Sequence, residues 1–361
     1  MTLPELNQSK IAELPVKYDG YFPDFIAQIF NNYISATQAL SPHDGERHEY
    51  SKILRMLPYI RELASAIHTS ICEYYKGNVS TCYNNLGTII SQELPLFRKL
   101  ITPPKNRQVI ESVHPRGLFR LRRIKSAHPP IPRKELFHIP FECRHNATTA
   151  RYSVPGLPCL YLSSSLYIAK KELEIKRLEN IYVSRYIASD EFDMRILDLS
   201  YQPQLLGRWG FQYFEDIVYP RMVFWPLIAA CSVAVKHPKA TFKPEYIVPQ
   251  FLFQIGSSLF DFDGIRYFSS KVSCERPVNI NYAIKVKNIV KADYCSWLRR
   301  QFLLTDPILW NEIKNVPHHS NTDLLITEKC KIYYKGKFVD YKYTPFDLLE
   351  RKIETLPSSK I

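Results

Sequence analysis

Metal-binding spacing is missing from this chain, and glycine is scarce. Eleven glycines in 361 residues contrast with 26 prolines, so rigid, proline-marked connections are expected in place of flexible ones. The eight cysteines (72, 82, 143, 159, 231, 274, 295 and 330) form no CxxC pair and no framework spacing, which argues against a disulfide scaffold. The ten histidines contain no HExxH, and His318-His319 has no third ligand close by in sequence; no metal is expected. No apolar run approaches eighteen residues. The stretch MVFWPLIAACSVAV is shorter and broken by Pro226, so it reads as a buried helix, and no membrane association is expected. The start, MTLPELNQSKIAELP, has no basic segment followed by an apolar one, so no signal peptide is expected. These absences together predict a cytoplasmic protein with reduced thiols.

Hydrophobic residues make up 45%, charged residues 23% and aromatics 13% of the chain, the balance of a globular protein that is far from disordered. The formal net charge of +13 suits an anionic partner. The basic residues are dispersed, densest in HPRGLFRLRRIKSAHPPIPRK, and form no block of the kind that marks a nucleic-acid tail. No nucleic-acid motif is recognisable, so nucleic acid is not the expected partner.

The first hundred residues carry helical periodicity. YFPDFIAQIFNNYISA and YSKILRMLPYIRELASAIHTSICEYY both show it, the second with a break at Pro58. Gly77 closes that helix and a further helix follows. ITPPKNR reads as a connector. Beyond it come short strands between proline-rich turns: GLFRLRRI, LFHIPF and PCLYL. A long helix is expected over SLYIAKKELEIKRLENI, and EYIVPQFLFQIGSSL is helix-like. Strand signals return at DGIRYFSSKV and INYAIKVKNIV. The end reads as a hairpin about Gly336 and a helix capped by Thr344 with Pro345 in its first turn. The order predicts an α+β fold: a mainly antiparallel sheet decorated with helices. Its parts would be a helical region over 1–108, a middle domain over 109–330 and a C-terminal hairpin and helix over 331–361.

One corner has the look of a site. In RYSVPGLPCLYLSSSLYIAKKEL a buried strand is followed by serines suited to cap a helix. With a start near Ser165, Ala169 and Glu172 share its face, and Glu172 projects beside the strand that carries Tyr161. The plain alternative makes Glu172 one more solvated helical charge and Arg151 a surface cation. Arg120 and Arg122 occupy alternate strand positions and so one face. Two such guanidinium forks match pyrophosphate oxygens, although an exposed cationic strand accounts for them equally. Ser269-Ser270 closes a later strand, where serine usually serves only the local backbone.

Taken in order, FRLR, RYSVPGLPCLYLSSSLYIAKKE, EYIVPQFLFQI, FDGIRYFSSK and NINY resemble the RES domain, a family named for its Arg, Glu and Ser. The resemblance covers roughly Arg116 to Val290. It implies a catalytic domain over 109–330 with a split, mainly antiparallel sheet of ADP-ribosyltransferase-like type, and an added helical N-terminal region. It also implies degradation of NAD+, by hydrolysis or phosphorolysis, by a bacterial toxin or defence effector held in check by an antitoxin. NAD+ is then the substrate and no metal takes part. Carried onto this chain, the resemblance puts the family's first arginine at Arg120, with Arg122 beside it, and the second at Arg151. The tyrosine falls on Tyr161, the acid on Glu172 and the serine on Ser269, with Ser270 as rival. Ser163, Asn279 and Asn281 are candidate helpers. In these terms Glu172, Arg120 and Ser269 are catalytic; Arg120, Arg122, Arg151, Tyr161, Ser163, Ser269 and Asn279 bind NAD+. Lys171 stands where many members carry a second acid.

The residue types suit that chemistry. Breaking the nicotinamide–ribose bond leaves positive charge on the ribose, as in glycoside hydrolysis, and a carboxylate stabilises it. Arginines hold the pyrophosphate and tyrosine packs on a ring. Two other readings use the same residues differently: transfer of ADP-ribose to a protein or nucleic acid, and a catalytically silent binding module with a basic surface. A homo-oligomer is compatible with each of them.

Overall fold

The computed structural model describes residues 1–41, 47–102, 114, 116–124, 130–175, 177–200, 211–271, 279–287, 294–317 and 331–361. The histidine pair at 318–319 and the cysteines at 274 and 330 lie outside the described residues. Two compact units share the chain by interleaving. The first is Met1–Thr102, Ala150–Tyr152 and Leu197–Phe262; the second is Pro103–Thr149, Ser153–Ile196 and Asp263–Ile361. Residues 331–361, read from the sequence as an extension, therefore fall within the second unit.

The first unit is helical. Phe22–Gln38, Leu57–Tyr75 and Val79–Gln92 are joined by Trp225–Cys231 and Ile247–Ser258 from much later in the chain. Pro58 lies in the first turn of its helix, where its missing N–H costs nothing. The preceding helix accordingly stops at Arg55. Gly77 follows with φ +88°. Every residue of Trp225–Cys231 is buried, and the Trp225 ring stacks on Tyr33 at 4.1 Å between centroids. Gly256 is required by packing: a Cβ there would fall 2.0 Å from the Phe262 ring.

The second unit is built on a sheet whose strands within it run in the order β11-β7-β3-β1-β2-β6-β5, and the chain passes into the first unit within β4. The strands are β1 Leu118–Arg123, β2 Cys159–Ser163, β3 Ile181–Ala188, β4 Ile196–Asp198, β5 Gly264–Phe268, β6 Ile280–Lys285, β7 Phe302–Thr305 and β11 Ser358–Ser359. The short β8 (Ile308–Leu309) also pairs with β3. The pairs β1–β2, β1–β3, β2–β6, β3–β7, β5–β6 and β7–β11 are antiparallel, in keeping with the α+β expectation. One face packs Leu118, Leu160, Leu162, Tyr186, Tyr282 and Ile284. On the other, Phe119, Leu121 and Val183 meet Leu166 and Ile168 of the helix Leu166–Glu172 and Phe346 and Ile353 of the C-terminal helix Pro345–Glu354. A separate hairpin pairs β9 (Lys331–Tyr334) with β10 (Lys337–Asp340). Lys335 and Gly336 both have positive φ, 49° and 83°, the primed turn that matches strand twist.

Two expectations fail. The helix expected over SLYIAKKELEIKRLENI ends at Glu172. Glu174 takes φ +50°, and the Lys271 ammonium donates to the last helical carbonyl, Glu172 O, at 2.8 Å. A cation at a helix C-terminus satisfies a carbonyl that another turn would have used. The apolar LFHIPF forms no strand. It runs from the last residue of the 3₁₀ turn Arg133–Leu136 to the first of Phe141–Asn146; Pro132 and Pro140 precede the two turns, and a proline cannot donate to a ladder.

Candidate functional site

The register of β1 creates an opening. It pairs with β3 along its whole length, Leu118 opposite Tyr186 through Arg123 opposite Ile181. It meets β2 only at Phe119 opposite Ser163, while β2 stays paired with β6 from Cys159–Lys285 to Ser163–Asn281. Past that meeting point β1 and β2 separate, and Arg120 spans the separation by donating from Nη1 to Tyr161 O at 3.0 Å. A cavity of about 650 Å³ lies along this stretch of β1. Arg120 to Arg123 line it together with Glu135, Ile139, Cys143 and Asn146 on one side and Leu173, Glu174 and Ile175 on the other. The volume is in the range of small-molecule sites.

Strand alternation sorts the candidates. Arg120 and Arg122 share a face, as expected, with Ser184 and Tyr182 opposite them. Ser163 is opposite Phe119, so Ser163 and Tyr161 point to the other face, along with their partners Asn281 and Ala283. The arginines and the polar cluster are thus separated by the sheet rather than gathered on one wall, and the bond from Arg120 to the Tyr161 carbonyl ties the two strands. Burial pushes the Arg120 guanidinium down from its usual value, although arginine keeps its charge. Its Nε is closed off from solvent with no hydrogen-bond partner. Arg122 is engaged: Nη1 donates to Glu135 O at 2.6 Å and lies 3.1 Å from Glu135 Oε2.

Glu172 ends its helix on the second face. Ser165 caps the start as the sequence predicts, its Oγ accepting from Ile168 N at 3.2 Å. Glu172 Oε1 accepts from Asn281 Nδ2 at 2.7 Å, and Asn281 Oδ1 accepts from Ser163 Oγ at 2.7 Å. Asn281 and Ser163 are both buried, so the amide is locked in the orientation that presents its N–H to the carboxylate. Lys271 Nζ lies 3.9 Å from Glu172 Oε2 and 3.0 Å from Glu174 Oε1. Ser269 and Asn279 extend the β5–β6 ladder, with Ser269 N donating to Asn279 O at 2.9 Å. The buried Ser269 Oγ accepts from Lys271 N, which makes it the turn that aims Lys271. Tyr161 donates its hydroxyl to Ser153 Oγ at 3.2 Å.

Arg151 is engaged elsewhere. It belongs to the first unit, where its guanidinium donates to the carbonyls of Cys231 (3.2 Å) and Val233 (3.0 Å) and lies over the Tyr246 ring. It is buried and holds its own unit's backbone.

Two parts of the second unit carry no sequence signal. Under the helix start, Glu350 Oε1 accepts from Leu166 N at 2.7 Å and from the Tyr341 hydroxyl. Arg116 lies 3.6 Å from Glu350 Oε2 and is paired with Asp347. Burial outweighs that neighbour and raises the Glu350 carboxyl to about 7. Further along the Ser163 face, Lys285 is lowered to about 7 and its cross-strand partner Cys159 is raised to about 12, both chiefly by burial. Lys271, the third omission, stands two residues after Ser269, where a strand-end lysine gives no spacing clue. Among the described residues no cluster of histidine, cysteine or carboxylates could hold a metal ion, and no helix is long and apolar enough to cross a membrane.

No family model matches the chain and no solved structure matches it. A Bacillus subtilis (strain 168) protein named "Putative toxin YopC" is 31% identical over 348 residues, an alignment that spans 90% of this chain and 74% of that protein.

Proposed function

Because the chain belongs to the family of that Bacillus subtilis protein, we propose that it is a toxin and that its second unit acts by cleaving the nicotinamide–ribose bond of NAD+. Glu172 supplies the negative charge that stabilises the ribose cation as neutral nicotinamide departs. Asn281, itself fixed by Ser163, holds the carboxylate in one orientation. Preorganisation of this kind removes a cost that solvent would otherwise impose in the transition state. Arg120 takes a phosphate at the opening, where its buried, unpartnered Nε gains an acceptor. Arg122 joins by exchanging Glu135 for the second phosphate. A water or an inorganic phosphate then attacks the ribose carbon. A protein with this activity needs a neutralising partner in the cell that makes it, in line with the antitoxin that the RES resemblance implies.

The observation that carries the reading is the relay Ser163–Asn281–Glu172, two buried polar side chains spent on orienting one carboxylate. The test is nicotinamide release from NAD+ by the full-length protein, with and without phosphate and with products read by mass. Glu172→Gln should lower the rate about 10²–10³-fold and relieve growth arrest on expression. Intact NAD+ after long incubation with the folded wild-type protein would overturn the proposal.

A further inference from the structure

Outside the Glu172 site, the β9–β10 hairpin presents a surface that the proposed reaction does not use. Its register puts Tyr333 opposite Phe338 and Lys331 opposite Asp340, so these four share one face. The other face, with Ile332, Tyr334 and Val339, packs into the core beside Phe346. The hairpin is therefore seated, and its outward rings are not loose ends. Tyr333 is 52% exposed and Phe338 63% exposed, yet the two rings meet edge to face at 5.3 Å. Tyr343, just beyond, is 74% exposed. Lysines surround these rings: Lys331 shares their face and Lys342 Nζ stands 5.0 Å from the Tyr343 ring centroid, while the exposed Lys335 and Lys337 flank the turn on the Tyr334 side, Lys337 opposite Tyr334 and Lys335 Nζ 5.5 Å from its ring centroid. From Lys331 to Tyr343 there are four lysines against one acid, Asp340.

We propose that the outer face of this hairpin binds single-stranded nucleic acid. Exposed aromatic faces among cations are what such strands require, because bases stack on the rings while phosphates meet the charges. The choice of cation favours this partner over a protein. Lysine is depleted from protein interface cores, whereas its point charge neutralises phosphates well. The hairpin is also tied to the helix that carries Glu172, Tyr167 donating to Tyr333 O at 3.1 Å. Nucleic acid was not the partner expected from the sequence. A thirteen-residue patch has no motif, and its one-sided display exists only once the inner face is docked.

Fluorescence anisotropy of the full-length protein with labelled oligothymidine tests this. Binding should be saturable and weaken as salt rises. Tyr333→Ala with Phe338→Ala should weaken it about tenfold or more with no change in melting temperature. Should that pair melt early, Phe338→Ala alone, at the more exposed ring, gives the same readout. Binding indifferent to the aromatic substitutions would overturn the proposal, since it would reflect only the dispersed positive charge. So would polyglutamate or phosphatidylserine vesicles binding in a Tyr333- and Phe338-dependent way while oligothymidine does not. Neither outcome touches nicotinamide release, so this surface and the NAD+ reading stand or fall separately.

Discussion

Replacing Glu350 by glutamine tests whether the group under the helix start is a neutral acid or half of an ion pair. The carboxyl is fully buried between Leu166 N, the Tyr341 hydroxyl and Arg116. Burial raises it from an ordinary 4.5 to about 7. The Tyr341 hydroxyl is itself raised by burial and stays protonated, and Arg116 is held charged by Asp347 and its neighbours. Below about pH 4.5 Glu350 is protonated both folded and unfolded. Between there and about pH 7 the folded state holds a proton that the unfolded chain has released, so stability falls as pH rises through this window. At about 1.4 kcal/mol per pH unit the full loss is about 3 kcal/mol. Glu350→Gln keeps an oxygen for Leu166 N and Tyr341 but carries no proton to lose. Urea unfolding should therefore find wild type and variant close at pH 5. At pH 8 the variant should be more stable by up to about 3 kcal/mol. Glu350→Ala, which strands a buried N–H and O–H, should cost about 2–5 kcal/mol at both values. Parallel pH curves for wild type and Glu350→Gln, or a variant weaker at pH 8, would show an ionised Glu350 serving Arg116 and would refute the reasoning.

Other outcomes follow from the same contacts. Asn281→Ala frees the Glu172 carboxylate without removing it, so kcat for nicotinamide release should fall about ten- to a hundredfold while KM stays within about twofold; a change confined to KM would contradict the orienting role. Arg151→Ala removes two charge-assisted bonds to carbonyls in the first unit and should lower stability by about 2–5 kcal/mol in a denaturant melt. If holding that backbone is its whole role, the KM for NAD+ of whatever remains folded should be unchanged, whereas a large rise in KM would make Arg151 a ligand.

What the sequence made legible was local. Ser165 and Thr344 cap their helices as expected, because an N-cap is a contact over three residues. The turn at Gly336 and the alternation of Arg120 and Arg122 are likewise written within a few positions. The site's internal bonds are not. Asn281 reaches Glu172 across 109 residues and Glu350 reaches Leu166 across 184, and no periodicity encodes such a meeting. Arg151 shows the same limit from the other side. Its neighbours in sequence suggested a ligand-binding turn, but its partners, Cys231 and Val233, lie 80 and 82 residues away. The separation of Arg120 from Glu172 by the sheet follows from register alone, which single-strand alternation leaves open. The early end of the Glu172 helix depended on Lys271, another distant partner.

The way the chain passes between its units has a practical outcome for anyone dissecting it. Three separate stretches make up the first unit, and the last, Leu197–Phe262, arrives after β3 has been laid down. Deleting the amino-terminal helices would therefore not liberate a clean second unit. It would leave Trp225 without Tyr33, and Phe224 without Tyr59 and Phe97, and exposed apolar surface favours aggregation. Loss of toxicity in such a truncation would report failed folding and say nothing about what the helices do; point substitutions on their outer faces are the informative route.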